Sequence, residues 1–194
     1  MSGGTWIGLD RGDADVAAAE HLAAEIMGTF GLAVSAACTH LVGAPRGHVA
    51  VSLALDGGLA VDQAAALLAG AASLGVAVTV DGDRLAFGGP GEFIDGALEA
   101  AAAHHDGTSG RAFRYLGEAA ARGRVRVDDL LARSAIDRVE GLAGSVDGAT
   151  EIETRDHVRP AYRDGLLTLL TTPRADGSVQ PFESPTPHEC SGGH

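Results

Sequence analysis

The sequence contains no lysine, and all 14 of its basic residues are arginine. A G-x-x-x-x-G-K-[ST] phosphate loop needs its lysine for the β- and γ-phosphates, so that motif is absent from this chain. Schiff-base chemistry needs an amine side chain, and a protein kinase needs its strand lysine. The absence of one residue type therefore excludes three classes of function without any assumption about the fold.

Aromatic residues, long apolar runs and cysteines are also scarce. Only 4% of the residues are aromatic, and a core of Ala and Val buries less area per residue than one of Leu and Phe. We therefore expect modest stability and leave self-association open. The chain has no run of 18 uncharged apolar residues and no basic-then-apolar leader, which predicts a cytoplasmic protein without a membrane segment. Cys38 and Cys190 are expected to be reduced thiols, as is usual in the cytoplasm, and a disulfide between them is the alternative.

Basic residues are outnumbered by acidic ones, which gives a net charge of −12. Such a charge repels the phosphates of nucleic acid, so we predict no nucleic-acid partner. The same charge suits a basic protein partner through complementary electrostatic fields. An acidic inhibitor or immunity-type protein is therefore one function hypothesis.

The pattern of apolar residues predicts an α+β fold, with short antiparallel hairpins packed against Ala-rich helices. An N-cap at Asp15 and a glycine at Gly31 bound the first helix. Helices are predicted over 16–29, 61–74, 90–105, 111–122 and 128–142, and strands over 5–9, 32–36, 48–55, 76–80, 83–87 and 149–154, with a further hairpin at 162–167.

A glycine-rich break at 106–110 predicts a domain boundary. We expect an α+β domain over 1–106, which contains a helix–hairpin–helix unit at 61–106. A helical region with a C-terminal hairpin is expected over 111–172. Four prolines and scattered polar residues predict a flexible tail over 173–194. Its last residues include candidate ligands for a soft metal, namely His188, Cys190 and His194.

The stretch GVAVTVDGDRLAFGGPG, residues 75–91, predicts a hairpin because Asp-Gly lies between two alternating apolar runs. The cluster GGPG at 88–91 admits two interpretations, a cradle for an anion or the turn from a strand into a helix. Pro90 lacks an N–H donor, and Glu92 and Asp95 repel an anion. We therefore predict the strand-to-helix turn.

The segment 61–107 resembles a TubC-type docking domain. The likeness is carried by AAALLAGAASLG at 64–75, VAVTVDGDRLAF at 76–87, GGP at 88–90 and EFIDGALEAAAAHH at 92–105. The resemblance implies a small helix–hairpin–helix unit that catches the charged tail of a partner subunit in a natural-product megasynthase. It further implies that Asp81, Asp83 and Arg84 contact that partner. The segment is internal here, whereas such domains lie at the front of their subunits.

Arginines are concentrated near residue 111, in an otherwise acidic chain. On the predicted helix Arg111 and Arg114 share one face, and guanidinium groups bind carboxylates and phosphates in a bidentate way. These two residues are therefore a second candidate surface for an acidic partner. A solvated face paired with nearby acids is the alternative interpretation.

A cysteine and two histidines surround the turn between two predicted strands. Cys38, His40 and His48 would lie at neighbouring strand ends, which suits three ligands of a zinc ion. SAACTHL followed by RGHVAVSL resembles the histidine pattern of pterin-synthase-like zinc enzymes, although Cys38 and Arg46 replace two histidines of that pattern. The alternative is ordinary histidines beside a turn.

His104 and His105, in contrast, are expected to act as cations at a helix C-terminus.

No constellation for nucleophilic catalysis is present. The chain has no G-x-S-x-G elbow, and its Ser, His and Asp residues show no spacing that selects a triad. The leading hypothesis is therefore a non-catalytic protein-binding or adaptor module without a cofactor, whose partner binds through a charged tail. The second hypothesis is a small metal-dependent biosynthetic enzyme that uses zinc.

Overall fold

A computed structural model describes residues 4–43 and 46–183. Within these residues the chain forms α-helices α1 (Val16–Phe30), α2 (Val61–Ala69), α3 (Gly91–His105) and α4 (Val127–Arg133). Its strands are β1 (Thr5–Asp13), β2 (Val34–Val42), β3 (His48–Leu55), β4 (Gly75–Val80), β5 (Asp83–Gly88), β6 (Arg111–Tyr115), β7 (Arg124–Arg126), β8 (Arg138–Gly141), β9 (Glu151–Glu153), β10 (Ala161–Arg163), β11 (Leu166–Pro173) and β12 (Val179–Pro181). The mixed α+β class is confirmed, but the strands join in a many-stranded, mostly antiparallel arrangement instead of separate short hairpins.

The chain divides into two compact units. Among the described residues, unit 1 consists of 4–43, 46–116 and 161–166, and unit 2 of 117–160 and 167–183. This division falls after residue 116, whereas we predicted a boundary at 106–110.

In unit 1 every described strand pairing is antiparallel, in the order β5-β4-β1-β3-β2-β6-β10. The first helix, α1, begins where predicted, because the Asp15 carboxylate accepts a hydrogen bond from the Ala18 N–H at 2.8 Å. It ends at Gly31, whose φ of 58° is the left-handed conformation that terminates helices.

Helices cover both faces of the unit 1 sheet. One face carries branched apolar side chains from four strands, which pack with α1, α2 and the segment after α2 in a single buried core. Its fully buried members include Ile7, Leu9, Val51, Leu53, Leu67, Val76 and Val78. The other face packs on α3 and carries mostly small or polar side chains, among them Cys38, His40, Ala50, Ser52 and Ala77.

Unit 2 is built from short elements. In it β11 pairs antiparallel with β12 and parallel with β8. Strand β12 pairs parallel with β9, and β9 pairs antiparallel with β7. Helix α4 follows β7 directly and buries Val127 and Leu130.

The helices predicted over 111–122 and 128–142 are wrong. The first range holds strand β6 and a three-residue 3₁₀-helix, and the second holds the seven-residue α4 followed by β8. The predicted tail also contains an ordered strand, because β12 lies at Val179–Pro181. The metal candidates His188, Cys190 and His194 lie outside the described residues.

None of the described helices has both the length and the apolar character that crossing a membrane requires.

Candidate functional site

The β4–β5 hairpin forms one lateral edge of the unit 1 sheet. Asp81 and Gly82 connect its strands with φ angles of 50° and 86°, the two successive positive values of a type I′ turn. Strand β4 is buried along most of its length because it also pairs with β1. Strand β5 pairs only with β4 among the described residues and is largely exposed. The hairpin therefore presents one open strand edge.

The three hairpin residues that we predicted as partner contacts lie in different environments. The Asp81 carboxylate accepts a hydrogen bond from the Gly4 N–H at 2.9 Å, and the Asp81 N–H donates to the Gly4 carbonyl at 3.0 Å. Asp81 thus attaches the turn to the residue just before β1. Asp83 and Arg84 are exposed at the start of β5. These two side chains remain candidates for an external contact.

A β-bulge changes what β5 presents to its surroundings. Thr79 lies opposite Arg84 and Val78 lies opposite Ala86, so Leu85 is the extra residue. Leu85 is 65% exposed and Phe87 is 58% exposed. Sequence reasoning treated both side chains as apolar positions of an ordinary strand. Their exposure follows from the position of β5 at the end of the strand order, which no local pattern encodes.

The two predicted arginine contacts lie on a strand instead of a helix. Arg111 and Arg114 belong to β6, and a bulge at Phe113 places them opposite Thr39 and Ala37, two residues on one face of β2. Arg111 and Arg114 therefore share a face because of a bulge in a strand, whereas we predicted the spacing of a helix. Strands β4, β1, β3 and β2 separate β6 from β5, which is about 24 Å at the usual strand spacing. The two candidate contact regions do not form one surface.

The predicted metal ligands Cys38, His40 and His48 lie on the sheet face that α3 covers, but His48 has other partners. Its Nε2 lies 2.8 Å from an Asp10 carboxylate oxygen, and its Nδ1 lies 2.7 Å from the Arg46 carbonyl oxygen. Both partners can accept a hydrogen bond from the ring, which favours its doubly protonated form. Burial alone would lower the pKa of His48, but these hydrogen bonds and the nearby carboxylates raise it.

His104 takes the position near Cys38 that His48 does not occupy. Its Nε2 lies 3.8 Å from the Cys38 sulfur, and its Nδ1 lies 2.8 Å from the Ser52 hydroxyl oxygen. The same hydroxyl lies 2.7 Å from His40 Nε2. We call these four residues, each at most 6% exposed, the buried polar chain. The expectation that His104 acts as a helix-end cation is wrong, because the helix turns this residue toward the sheet.

Burial sets the protonation of the buried polar chain. It lowers the pKa of His40 to about 4. It also lowers the pKa of His104 to about 3, with repulsion from a protonated His40 as a second cause. Burial raises the pKa of the Cys38 thiol to about 12. At neutral pH both imidazoles are uncharged and the thiol is protonated, so this thiol is a poor nucleophile.

The zinc hypothesis requires Cys38, His40 and His48 to lie together around one ion. Among residues 4–43 and 46–183, no three or more His, Cys, Asp or Glu side chains are grouped closely enough to hold a metal ion. Within the same residues, the buried Nδ1 of His40 has no hydrogen-bond partner. Cys38 and His104 face each other, whereas His48 is engaged with Asp10. The predicted set of Cys38, His40 and His48 is therefore not brought together as one site.

Comparison with protein-family models, with curated proteins and with solved structures found no match to this chain.

Proposed function

We propose that this protein is a non-catalytic protein-binding module that receives an extended segment of another protein along the outer edge of β5. The observation that carries the proposal is the open edge of this strand beside two exposed apolar side chains, Leu85 and Phe87. A strand edge offers a row of backbone donors and acceptors to an added strand, and neighbouring side chains supply selectivity.

The sequence of β5 supports this use of the edge. Proteins usually protect open edges with proline, lysine, inward charges or a very short strand. Strand β5 has six residues, contains no proline, and carries its charges, Asp83 and Arg84, at one end only. The rest of its outer edge is apolar or small. A partner segment with apolar side chains opposite Phe87 and a charged residue near Arg84 would match this distribution.

The docking-domain resemblance adds a partner class to the proposal. It implies a terminal tail of a natural-product synthase subunit as the incoming segment. The net charge of −12 favours a basic protein instead, which would fit the inhibitor or immunity-type hypothesis. Identification of the bound segment distinguishes these two partners.

The test introduces a photo-crosslinking amino acid at Leu85 and, as a control, at Leu116, which is 60% exposed on unit 1 but lies outside the hairpin. We expect one partner segment to cross-link at position 85 and not at position 116. A synthetic peptide of that segment should bind the wild-type chain in a salt-sensitive manner. Binding should be lost in Arg84→Glu and Phe87→Glu and retained in Leu116→Glu. Equal cross-linking at both positions, or unchanged peptide affinity in the hairpin variants, would reject the proposal.

A metal-dependent enzyme is the second candidate, favoured by the Cys38 sulfur and His104 Nε2 that face each other at 3.8 Å. Elemental analysis of protein purified without a histidine tag tests it. A stoichiometric zinc content that falls in Cys38→Ala would support an enzyme of this kind. Less than about a tenth of an equivalent of zinc or iron would remove it, because a structural or catalytic site retains its metal through purification.

A further inference from the structure

A small cleft lies between the β4–β5 hairpin and helix α3, on the sheet face away from α1. Its volume is about 240 Å³. The hairpin contributes Thr79 and Arg84 to its walls, and α3 contributes Asp95, Leu98 and Glu99. This volume is smaller than the roughly 300–1,000 Å³ of sites for drug-sized molecules, so the cleft suits a small ligand.

Among residues 4–43 and 46–183, the polar side chains that line the cleft have no partners of their own. Thr79 is only 3% exposed, and its hydroxyl oxygen has no hydrogen-bond partner within the described part of the chain. A buried hydroxyl without a partner is unfavourable, and a ligand that supplies the missing hydrogen bond removes that penalty. In the same described residues, Arg84 forms no ion pair with Asp95 or Glu99, although all three line one cleft.

The charges of the cleft have a defined arrangement. Asp95 and Glu99 are four residues apart on α3 and therefore lie on one face of the helix, where like charges repel each other. A cation between them removes that repulsion. Arg84 approaches from the hairpin and offers a guanidinium group, which binds a carboxylate in a bidentate way. Leu98 provides an apolar wall between the charged groups.

We propose that this cleft binds a free basic amino acid, with its cationic groups at Asp95 and Glu99 and its carboxylate at Arg84. The two carboxylates and one guanidinium of the cleft are complementary to a ligand with two positive charges and one negative charge. An amino acid with a basic side chain has that set of charges in a molecule small enough for the cleft. This site goes beyond the proposed edge of β5 and shares only Arg84 with it, so Glu99 and Thr79 test the site separately.

The experiment titrates the full chain with L-arginine and follows its backbone amide resonances by NMR. We expect saturable shifts at Thr79, Gly82 and Leu98 and no shift of similar size in α1. Glu99→Gln should weaken binding about tenfold, the effect of losing one charge-assisted hydrogen bond. Thr79→Val should weaken it severalfold. Glu92→Gln, which removes a carboxylate from the same helix outside the cleft, should leave the affinity unchanged.

Two analogues sharpen the outcome. Agmatine lacks the carboxylate and should bind about tenfold more weakly than L-arginine if Arg84 holds that group. Nα-acetyl-arginine amide imitates an arginine within a peptide and should bind weakly for the same reason. Equal binding of this analogue would overturn the proposal in favour of a peptide side chain. Absence of saturable shifts with L-arginine, or affinity unchanged in Glu99→Gln, would also overturn it. Neither result depends on cross-linking at Leu85.

Discussion

The two faces of the unit 1 sheet are buried by different kinds of side chains. The face toward α1 and α2 is filled by large branched side chains such as Ile7, Leu53 and Val76. The face toward α3 is filled by alanine, glycine and polar side chains, and several of the polar side chains form hydrogen bonds with one another. The first face is stabilised by apolar volume. The second depends on close backbone approach and on hydrogen bonds between buried side chains.

Gly8 shows how close that approach is. A Cβ atom at this position of β1 would lie 1.7 Å from the carbonyl oxygen of Ala97 in α3. The helix backbone can therefore approach β1 this closely only because position 8 has no side chain. Small residues beside this contact leave little apolar area to bury, so the hydrogen bonds of Ser52, His104 and Asp10 carry more of the specificity on this face.

The largest expected effect comes from filling the α3 face. Gly8→Val should destabilise the fold by roughly 4 kcal/mol or more and yield mostly insoluble protein, because the contacting atom is backbone and cannot move aside. Gly28→Ala on α1 is the control, since its added Cβ meets no heavy atom within 4 Å. Urea denaturation followed by circular dichroism measures both. A soluble Gly8→Val variant with the wild-type midpoint would show that the two faces do not differ in this way.

Acid should weaken the α3 face next most strongly. The pKa values of His40 and His104 are lowered in the folded chain to about 4 and about 3, so the unfolded chain binds more protons below pH 6.5. Stability should therefore fall as pH decreases from about 6.5 toward 4, by roughly 3 kcal/mol for each ring.

His48 contributes in the opposite direction. Its raised pKa gives stability that is fully present below about pH 6.5 and is lost as pH rises through its folded pKa. NMR titration of the imidazole resonances separates the three rings. His40 and His104 should remain unprotonated at pH 5 while His48 is protonated. Titration of all three rings near pH 6.5 would contradict the described environments.

Removing side-chain volume from the apolar face should lower the free energy of unfolding by less than the changes on the α3 face described above. Leu53→Ala should destabilise the fold by about 3 kcal/mol, since Leu53 is fully buried and its neighbours cannot fill the cavity. Leu116→Ala, at a side chain that is 60% exposed, should change stability by less than about 0.5 kcal/mol. Thermal denaturation of the two variants provides the measurement. A similar loss of stability in both variants would mean that side-chain packing does not stabilise this face.

The smallest of these effects should come from Ser52→Ala, at about 2 kcal/mol, because two buried imidazole nitrogens lose their partner. Ser35→Ala removes a single hydrogen bond, to the Ala54 carbonyl, and should cost less. Only the first variant should shift the imidazole resonances of His40 and His104. An unchanged spectrum of these two rings would remove Ser52 from the buried polar chain.

Local signals predicted part of this fold correctly. Asp15, Gly31 and the Asp81-Gly82 turn act on their immediate neighbours in the chain, so the sequence identifies them directly. The prediction failed at 111–115, which was assigned to a helix over 111–122 and forms strand β6. That segment is short, and its pairing with β2 outweighs a weak helical propensity.

The candidate site was predicted only in part. The features that were missed depend on contacts between residues far apart in the sequence. Asp83 and Arg84 are exposed on the hairpin, and their contact with a partner stays a prediction. Leu85 and Phe87 were missed because their exposure depends on which strand lies at the sheet edge. Cys38 and His40 do share a polar cluster. Its second histidine, His104, is 64 residues beyond His40, and no spacing rule connects them.

By itself, the sequence determined the exclusion of lysine chemistry, the acidic charge, the α+β class and the Asp-Gly hairpin, because each depends on composition or on residues within a few positions of one another. The tertiary structure alone decided that β5 lies at an open edge, that His104 meets Cys38, and that Arg84 lines a cleft with Glu99. These arrangements depend on the order in which strands pair and on where α3 crosses them. Both are set by the packing of distant segments, whose contacts leave no local pattern.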